Sequence, residues 1–251
     1  TDRRRVGGVA NASAKLLRNA MVALQKSREK NLRHPGMCPA TDVSVKIAVL
    51  KSKLDASIDG RCDLLNAFAL AAVGYPGRCT DLYPADGFTL ADVKACMRDS
   101  HGSAADGLID SEYGTITGPL PDIALLVCQH AVGKSMVKFT TARLKALQAC
   151  RNAILAGRLS ANDPELCATA DAPTAIAIAK ATSKARAGIL ARCTDGLVAA
   201  LDVCDPNATT AADAVACLVA GHADTVDALL AYEYATQPRC GDDIVNALDE
   251  E

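Results

Sequence analysis

An internal repeat constrains this 251-residue chain more than any other feature of its sequence. Residues 89–114 align with residues 210–235 at a constant shift of 121, and residues 47–62 align with 178–193 at a shift of 131. A weaker block pairs residues 9–28 with 132–151 at a shift of 123. The identical pairs include Lys15/Lys138, Lys53/Lys184, Arg61/Arg192, Cys96/Cys217, His101/His222, Glu112/Glu233 and Tyr113/Tyr234.

The changing shift indicates small insertions in the connections, which loops tolerate. We therefore expect a first helical unit over residues 1–118, a second unit over 119–239, and a C-terminal tail at 240–251. Alanine, the best helix former, is abundant in both units, whereas aromatic residues make up only 3% of the chain. The predicted fold class is all-α, a tandem repeat of disulfide-stapled antiparallel helical hairpins that form a bundle.

Each unit is predicted to contain three main helices. They cover residues 8–32, 42–60 and 90–113 in the first unit, and 122–157, 173–191 and 211–234 in the second. Thr89 with Asp92, and Thr210 with Asp213, resemble capping boxes that start the last helix of each unit. A short helix is expected after the middle one, carrying Leu64, Leu65 and Phe68 in the first unit and Leu197 and Leu201 in the second.

The eleven cysteines have the spacing of a disulfide framework. No CxxC or CxxCH motif is present, which argues against structural zinc and c-type haem. An antiparallel hairpin brings the end of one helix beside the start of the next, and a further bridge can tie the loop before the last helix to that helix. The predicted pairs are Cys128–Cys193, Cys150–Cys167, Cys204–Cys217 and Cys79–Cys96. Because disulfides persist in oxidising compartments, we expect a secreted protein, extracellular or periplasmic.

The first unit lacks two of the cysteines that this scheme uses. Arg5 and Ser27 stand in their places, so Cys38 and Cys62 have no assigned partner, and Cys240 near the C-terminus is also unassigned. An odd total leaves at least one thiol unpaired within a monomer. Two alternatives stay open: Cys240 bridges to Cys38 or Cys62 of a neighbouring copy, or two of the three pair internally beside one buried thiol.

The residues CQHAVGK at 128–134 and RLKALQAC at 143–150, followed by Ile154 and Gly157, resemble a repeat of uncharacterised secreted proteins in myxobacteria-like bacteria. The resemblance covers the first helix of the second unit best and extends more loosely over both units. The first unit departs from it at Arg5 and Ser27. The resemblance implies secretion and a repeat architecture, and it carries no activity with it.

The best candidates for a ligand-binding site are His101 and His222, because the repeat retains both. The functional interpretation is a metal or haem ligand supported by Asp106 or Asp227. A spacing of five residues does not place two ligands on one helical face, so we favour histidines that hydrogen-bond a neighbouring helix. We expect no catalytic residues, no metal and no cofactor. Glu112-Tyr113 and Glu233-Tyr234, which end the last helix of each unit, are predicted to be a structural lock.

Charge and hydropathy exclude two further classes of partner. The net charge of −2 and the absence of tryptophan give no footprint for nucleic acid. No apolar run reaches the roughly 18 residues of a membrane span, so no transmembrane segment is expected.

Two functions from different classes are compatible with these features. The first is a non-enzymatic extracellular structural or assembly protein that self-associates as a filament or surface subunit. It is indicated by tandem repetition and the odd cysteine count. The second is a secreted helical binding module for a small apolar ligand or a partner protein, since an aliphatic cavity leaves no motif. The sequence favours the first.

Overall fold

The computed structural model describes residues 2–62, 70–71, 74–82, 84–114, 116, 118–120, 122–159, 166–204 and 210–234, with the backbone alone at 2–5. Within these ranges every regular element is a helix, so the all-α prediction is confirmed for them. The helices are α1 (Asp2–Arg33), α2 (Ala40–Cys62), α3 (Leu90–Tyr113), α4 (Ile123–Leu155), α5 (Cys167–Ala170), α6 (Ala172–Leu190), α7 (Asp195–Leu201) and α8 (Ala211–Glu233). The tail at 240–251, and Leu64, Leu65 and Phe68, lie outside the described residues.

The starts of α3 and α8 follow from the predicted threonine caps. The backbone N–H of Thr89 donates to Asp92 Oδ2 at 2.8 Å, and the backbone N–H of Asp213 donates to Thr210 Oγ1 at 3.1 Å. These contacts satisfy amide groups that a helix leaves unpaired in its first turn. Burial opposes ionisation of Asp92, but hydrogen bonds from Thr89 and Leu82 outweigh it and hold the pKa of this carboxyl below its usual value.

The long helices α1 and α4 lie at the centre of the structure. Helix α1 packs against α2, α3 and α4, while α4 also packs against α6 and α8, and α3 packs against α8. At 1.5 Å per residue, the 33 residues of α4 extend about 50 Å, which lets one helix contribute to two cores. Leu144 and Leu147 of α4 lie in a core with α1, α2 and α3, whereas Val132 and Met136 lie in a second core with α6, α7 and α8.

Four disulfides join the described residues, and they are the four pairs that the sequence predicts. Cys128–Cys193 and Cys150–Cys167 connect α4 to the two ends of α6, so each end of this hairpin is stapled. Cys204–Cys217 and Cys79–Cys96 fasten the loops before α8 and α3. This framework is consistent with an oxidising compartment.

The remaining cysteines have different environments. Cys62 is fully buried and Cys38 nearly so, whereas Cys240 lies outside the described residues. A bridge from Cys38 or Cys62 to another chain would therefore require local opening. Asn31 holds the first hairpin where the second has a disulfide: its side-chain amide donates to Cys38 O at 3.2 Å and its carbonyl oxygen accepts from Cys38 N at 3.0 Å.

By length and composition, α8 could cross a membrane, although no continuous apolar run predicts a span. Such a helix is weak evidence, because the core helix of a soluble domain passes the same test. Here Val215, Leu218 and Leu229 of α8 are buried in the two cores.

Candidate functional site

The two histidines retained by the repeat lie inside the protein, where α3 and α8 meet. His101 Nε2 lies 2.9 Å from Glu233 Oε1, and neither side chain has exposed surface. His101 Nδ1 lies 3.1 Å from Met97 O, which requires a proton on that nitrogen. The second oxygen of Glu233 accepts from Gln148 Nε2 at 2.8 Å. Both ring nitrogens of His101 and both carboxyl oxygens of Glu233 therefore have hydrogen-bond partners.

The equivalent contact in the other half joins His222 to Glu112. Thr140 Oγ1 donates to Met136 O at 2.9 Å and therefore accepts from His222 Nδ1 at 2.7 Å. His222 Nε2 is 3.6 Å from Glu112 Oε1, which is beyond a normal hydrogen bond.

Burial controls the charge of this second pair. Desolvation lowers the pKa of His222 to about 3. Two causes raise the pKa of Glu112 well above its usual value: the larger is desolvation by burial, and the smaller is the nearby Glu29 carboxylate. At neutral pH His222 is therefore an uncharged imidazole, and the environment disfavours a charged carboxylate at Glu112.

These contacts define a buried polar lock, and they do not assemble a metal centre. Among the residues that the structure describes, no group of three His, Cys, Asp or Glu side chains could hold a metal ion. Asp106 is exposed, and Asp227 pairs with Arg143 Nη2 at 2.7 Å instead of supporting His222. The repeated histidines thus contact a neighbouring helix, in agreement with the interpretation that the sequence favours.

Gly133, in the middle of α4, also serves helix packing. A Cβ on Gly133 would lie 3.0 Å from both Gln25 Nε2 and Tyr113 Oη, so glycine permits the close approach of α1, α3 and α4. The equivalent tyrosine, Tyr234, donates to Asn152 Oδ1 at 3.0 Å. The tyrosines at the ends of α3 and α8 are buried, as a structural lock requires.

A groove lies between α4 and α6, and we call it the second groove. Its volume is about 700 Å³. Its lining residues are Val127, His130, Ala131, Lys134, Ser135, Lys138, Phe139, Ala142, Ala181, Lys184, Ala185, Gly188 and Arg192. A volume of this size lies within the range of small-molecule sites.

The equivalent surface between α1 and α2, the first groove, encloses only about 210 Å³. Every residue lining it aligns with one lining the second groove at the shifts of 123 and 131. Leu50 and Leu54 of the first groove correspond to Ala181 and Ala185 of the second. The short alanine side chains leave open the space that leucine fills in the first hairpin.

The second groove also differs from other openings in its charge. A groove of about 480 Å³ between α3 and α8 contains Arg78 and Asp99. Another of about 600 Å³, where α1, α2 and α3 meet, contains Arg28, Lys51 and Asp106. Both therefore combine cations with a carboxylate. The second groove is lined by three lysines, an arginine and a histidine, with no acidic side chain.

The groove was not predicted from the sequence, although the repeat alignment contains a signal for it. The repeat alignment retains Lys138, Lys184 and Arg192 as identities and replaces two leucines by alanine. Such a replacement indicates a cavity only when it is known that both positions face the partner helix.

No family model matches the chain, nor does any curated protein or solved structure.

Proposed function

We propose that this protein is a secreted, non-catalytic helical binding module that holds a small ligand in the second groove. The observation that carries the proposal is the difference between two equivalent grooves, about 700 Å³ against about 210 Å³. In this interpretation the two halves are repeats of one hairpin design, and the second has been opened for a ligand. The four disulfides support an oxidising environment, and two of them, Cys128–Cys193 and Cys150–Cys167, hold the groove walls.

The position of the staples supports a binding role. Cys128–Cys193 and Cys150–Cys167 fix both ends of the helix pair that forms the groove. A groove whose walls are held before the ligand arrives loses less conformational entropy on binding. The bottom of the groove is apolar, since Phe139, Ala181 and Ala185 are buried there. These features together favour a preformed site over a surface irregularity.

The proposal can be tested with two fluorescent probes, 1-anilinonaphthalene-8-sulfonate and N-phenyl-1-naphthylamine, which differ by one sulfonate. We expect at least one of them to bind the oxidised protein at one site per chain. The variant A181L/A185L introduces the residues of the first groove and should abolish that binding, while circular dichroism and the melting temperature report its folding. A142L, which narrows the exposed rim, provides a second variant if the first folds poorly.

Loss of probe binding in a folded variant would support the groove as the site. Binding that is unchanged in both filled variants, or no binding of either probe to the wild type, would overturn the proposal. The matched control is L190A, which changes an exposed aliphatic residue of α6 that does not line the groove.

Self-association into a structural assembly is our second proposed function. Val45 and Val49 lie one turn apart on α2 with 64% and 49% of their surfaces exposed, so a second copy of this chain could cover them. Light scattering of the purified protein tests this directly. We expect concentration-dependent growth in mass that V45S/V49S suppresses, and a monomer at all concentrations would overturn the assembly proposal.

A further inference from the structure

We propose that the ligand of the second groove is a small amphipathic anion, with an acidic group held by the lysines and an apolar part seated between α4 and α6. This inference rests on the proposed binding function and specifies the chemistry of its ligand. It differs from the purely apolar ligand expected from the sequence.

Positive charge is concentrated on both walls of the groove. Lys134 and Lys138 lie one turn apart on α4, and Lys184 lies on α6, with Arg192 just beyond its end. None of these four side chains forms an ion pair with the described residues. In a protein of net charge −2, four cations with no ion-pair partner among the described residues form a local site for an anion.

The carboxylate that contacts the groove-lining His130 already has hydrogen-bond partners. Glu29 Oε1 lies 2.8 Å from Nδ1 of the groove-lining His130, and it accepts from Gln25 Nε2 at 2.7 Å. Glu29 therefore positions the histidine at one side of the groove and does not itself line it. The lysine ammonium groups stay available to a ligand.

The widening of the groove and the increase in its positive charge occur together. Lys138 and Lys184 have identical counterparts in Lys15 and Lys53 of the first groove. Lys134, by contrast, aligns with Asn11, and His130 aligns with Gly7 at the same shift of 123. The open groove is thus also the more basic one, as an anionic ligand requires.

The apolar surface of the groove determines the second half of the ligand. Phe139, Ala181 and Ala185 form a buried apolar surface below the charged rim. A fully hydrated inorganic anion would contact the charged rim and not this apolar bottom of the groove. An aromatic or short aliphatic sulfonate, sulfate, carboxylate or phosphate would cover it and place its charge among the lysines.

The test compares the two probes on matched charge variants. K138Q/K184Q removes two lysines that line the groove, whereas K145Q/K180Q removes two exposed lysines of the same helices that do not line it. We expect the sulfonate probe to bind the wild type at least about ten-fold more tightly than its uncharged analogue. K138Q/K184Q should weaken the sulfonate probe by about ten-fold and leave the uncharged probe unchanged, while K145Q/K180Q should alter neither beyond about two-fold.

The outcomes separate this inference from the function on which it rests. If both probes bind equally, and filling the groove with A181L/A185L abolishes both, the module stands and the anionic ligand is wrong. If filling has no effect, the proposed function itself fails. A third outcome is that the wild type and A181L/A185L bind phosphatidylglycerol vesicles equally, while the affinity of the sulfonate probe is the same for both. This outcome would overturn the proposal and indicate a membrane-surface contact.

Discussion

His101 Nε2 and Glu233 Oε1 lie 2.9 Å apart although 132 positions separate them in the chain. Because both side chains are fully buried, the contact links α3 to α8 where no water can replace a lost partner. In the equivalent contact the histidine comes from α8 and the glutamate from α3: His222 Nε2 lies 3.6 Å from Glu112 Oε1. The two halves therefore share one buried polar interface but do not satisfy it equally.

The first prediction concerns the hydrogen-bonded contact. His101→Ala should lower the free energy of unfolding by about 3–5 kcal/mol, because removal of one partner leaves a buried carboxyl unsatisfied. Chemical denaturation of the oxidised protein measures this change. His34→Ala is the control, since His34 is exposed and its loss should change stability by less than about 0.5 kcal/mol. Equal effects of the two substitutions would contradict this account of the lock.

The second prediction contrasts the two glutamates. The folded-state pKa of Glu112 is raised by burial and by Glu29, so its contribution to stability is present below the unfolded pKa and declines as the pH rises. Glu112→Gln cannot ionise and should therefore stabilise the protein relative to the wild type at pH 7. Glu233→Gln should destabilise it by about 1–3 kcal/mol, because both carboxylate oxygens are hydrogen-bonded.

Denaturation curves at pH 4, 7 and 9 would measure both glutamate variants. The advantage of Glu112→Gln should grow from pH 4 to 7. A Glu112→Gln variant whose stability relative to the wild type does not increase between pH 4 and 7 would contradict a raised pKa at this carboxyl.

The third prediction concerns the effect of His222 on the stability of the protein at acidic pH. Burial lowers its folded pKa from 6.5 to about 3, so between these values the unfolded chain binds the extra proton. Stability from this group is present above pH 6.5 and is lost as the pH falls towards 3. In this pH window, His222→Gln should lower the slope of unfolding free energy against pH by up to about 1.4 kcal/mol per pH unit. This slope corresponds to one proton taken up on unfolding. Identical slopes for the variant and the wild type would exclude the buried neutral imidazole.

The fourth prediction ranks two disulfides. Cys128–Cys193 closes a separation of 65 residues and Cys79–Cys96 one of 17, so the first restricts the unfolded chain more. Replacing both cysteines by alanine should cost about 4 kcal/mol for the first bridge and about 3 kcal/mol for the second. Urea unfolding of the two double variants measures the order. A larger loss from the shorter loop would indicate that local packing, and not chain entropy, determines these contributions.

The fifth prediction concerns the end of α3. Gly114 has φ of +52°, and a Cβ there would lie 2.3 Å from Asp202 O, in the loop between α7 and α8. Gly114→Ala should destabilise the protein by more than about 2 kcal/mol, because it combines backbone strain with a clash against main chain. Gly118→Ala is the matched control, as nothing lies within 4 Å of its Cβ position. A neutral Gly114→Ala would mean that this loop can move away at little cost.

The local elements of this fold were predictable because their causes are local. Helix α3 spans Leu90–Tyr113 as expected, since Thr89 and Asp92 supply the cap within four residues. The pairs Cys128–Cys193 and Cys150–Cys167 also agree with the prediction from hairpin geometry, because an antiparallel pair brings each end of one helix beside an end of the other. Recognition of the helices required only propensity and spacing.

The sequence by itself determined the main helices, the caps of α3 and α8, the internal sequence repeat and the pairing scheme for eight cysteines. Only the tertiary structure decided that each repeated histidine faces the glutamate of the other half, because that choice depends on how α3 and α8 pack. It also decided that Ala181 and Ala185 open a cavity where Leu50 and Leu54 close one. A cavity is a property of two facing surfaces, and the sequence of either surface does not contain the distance between them.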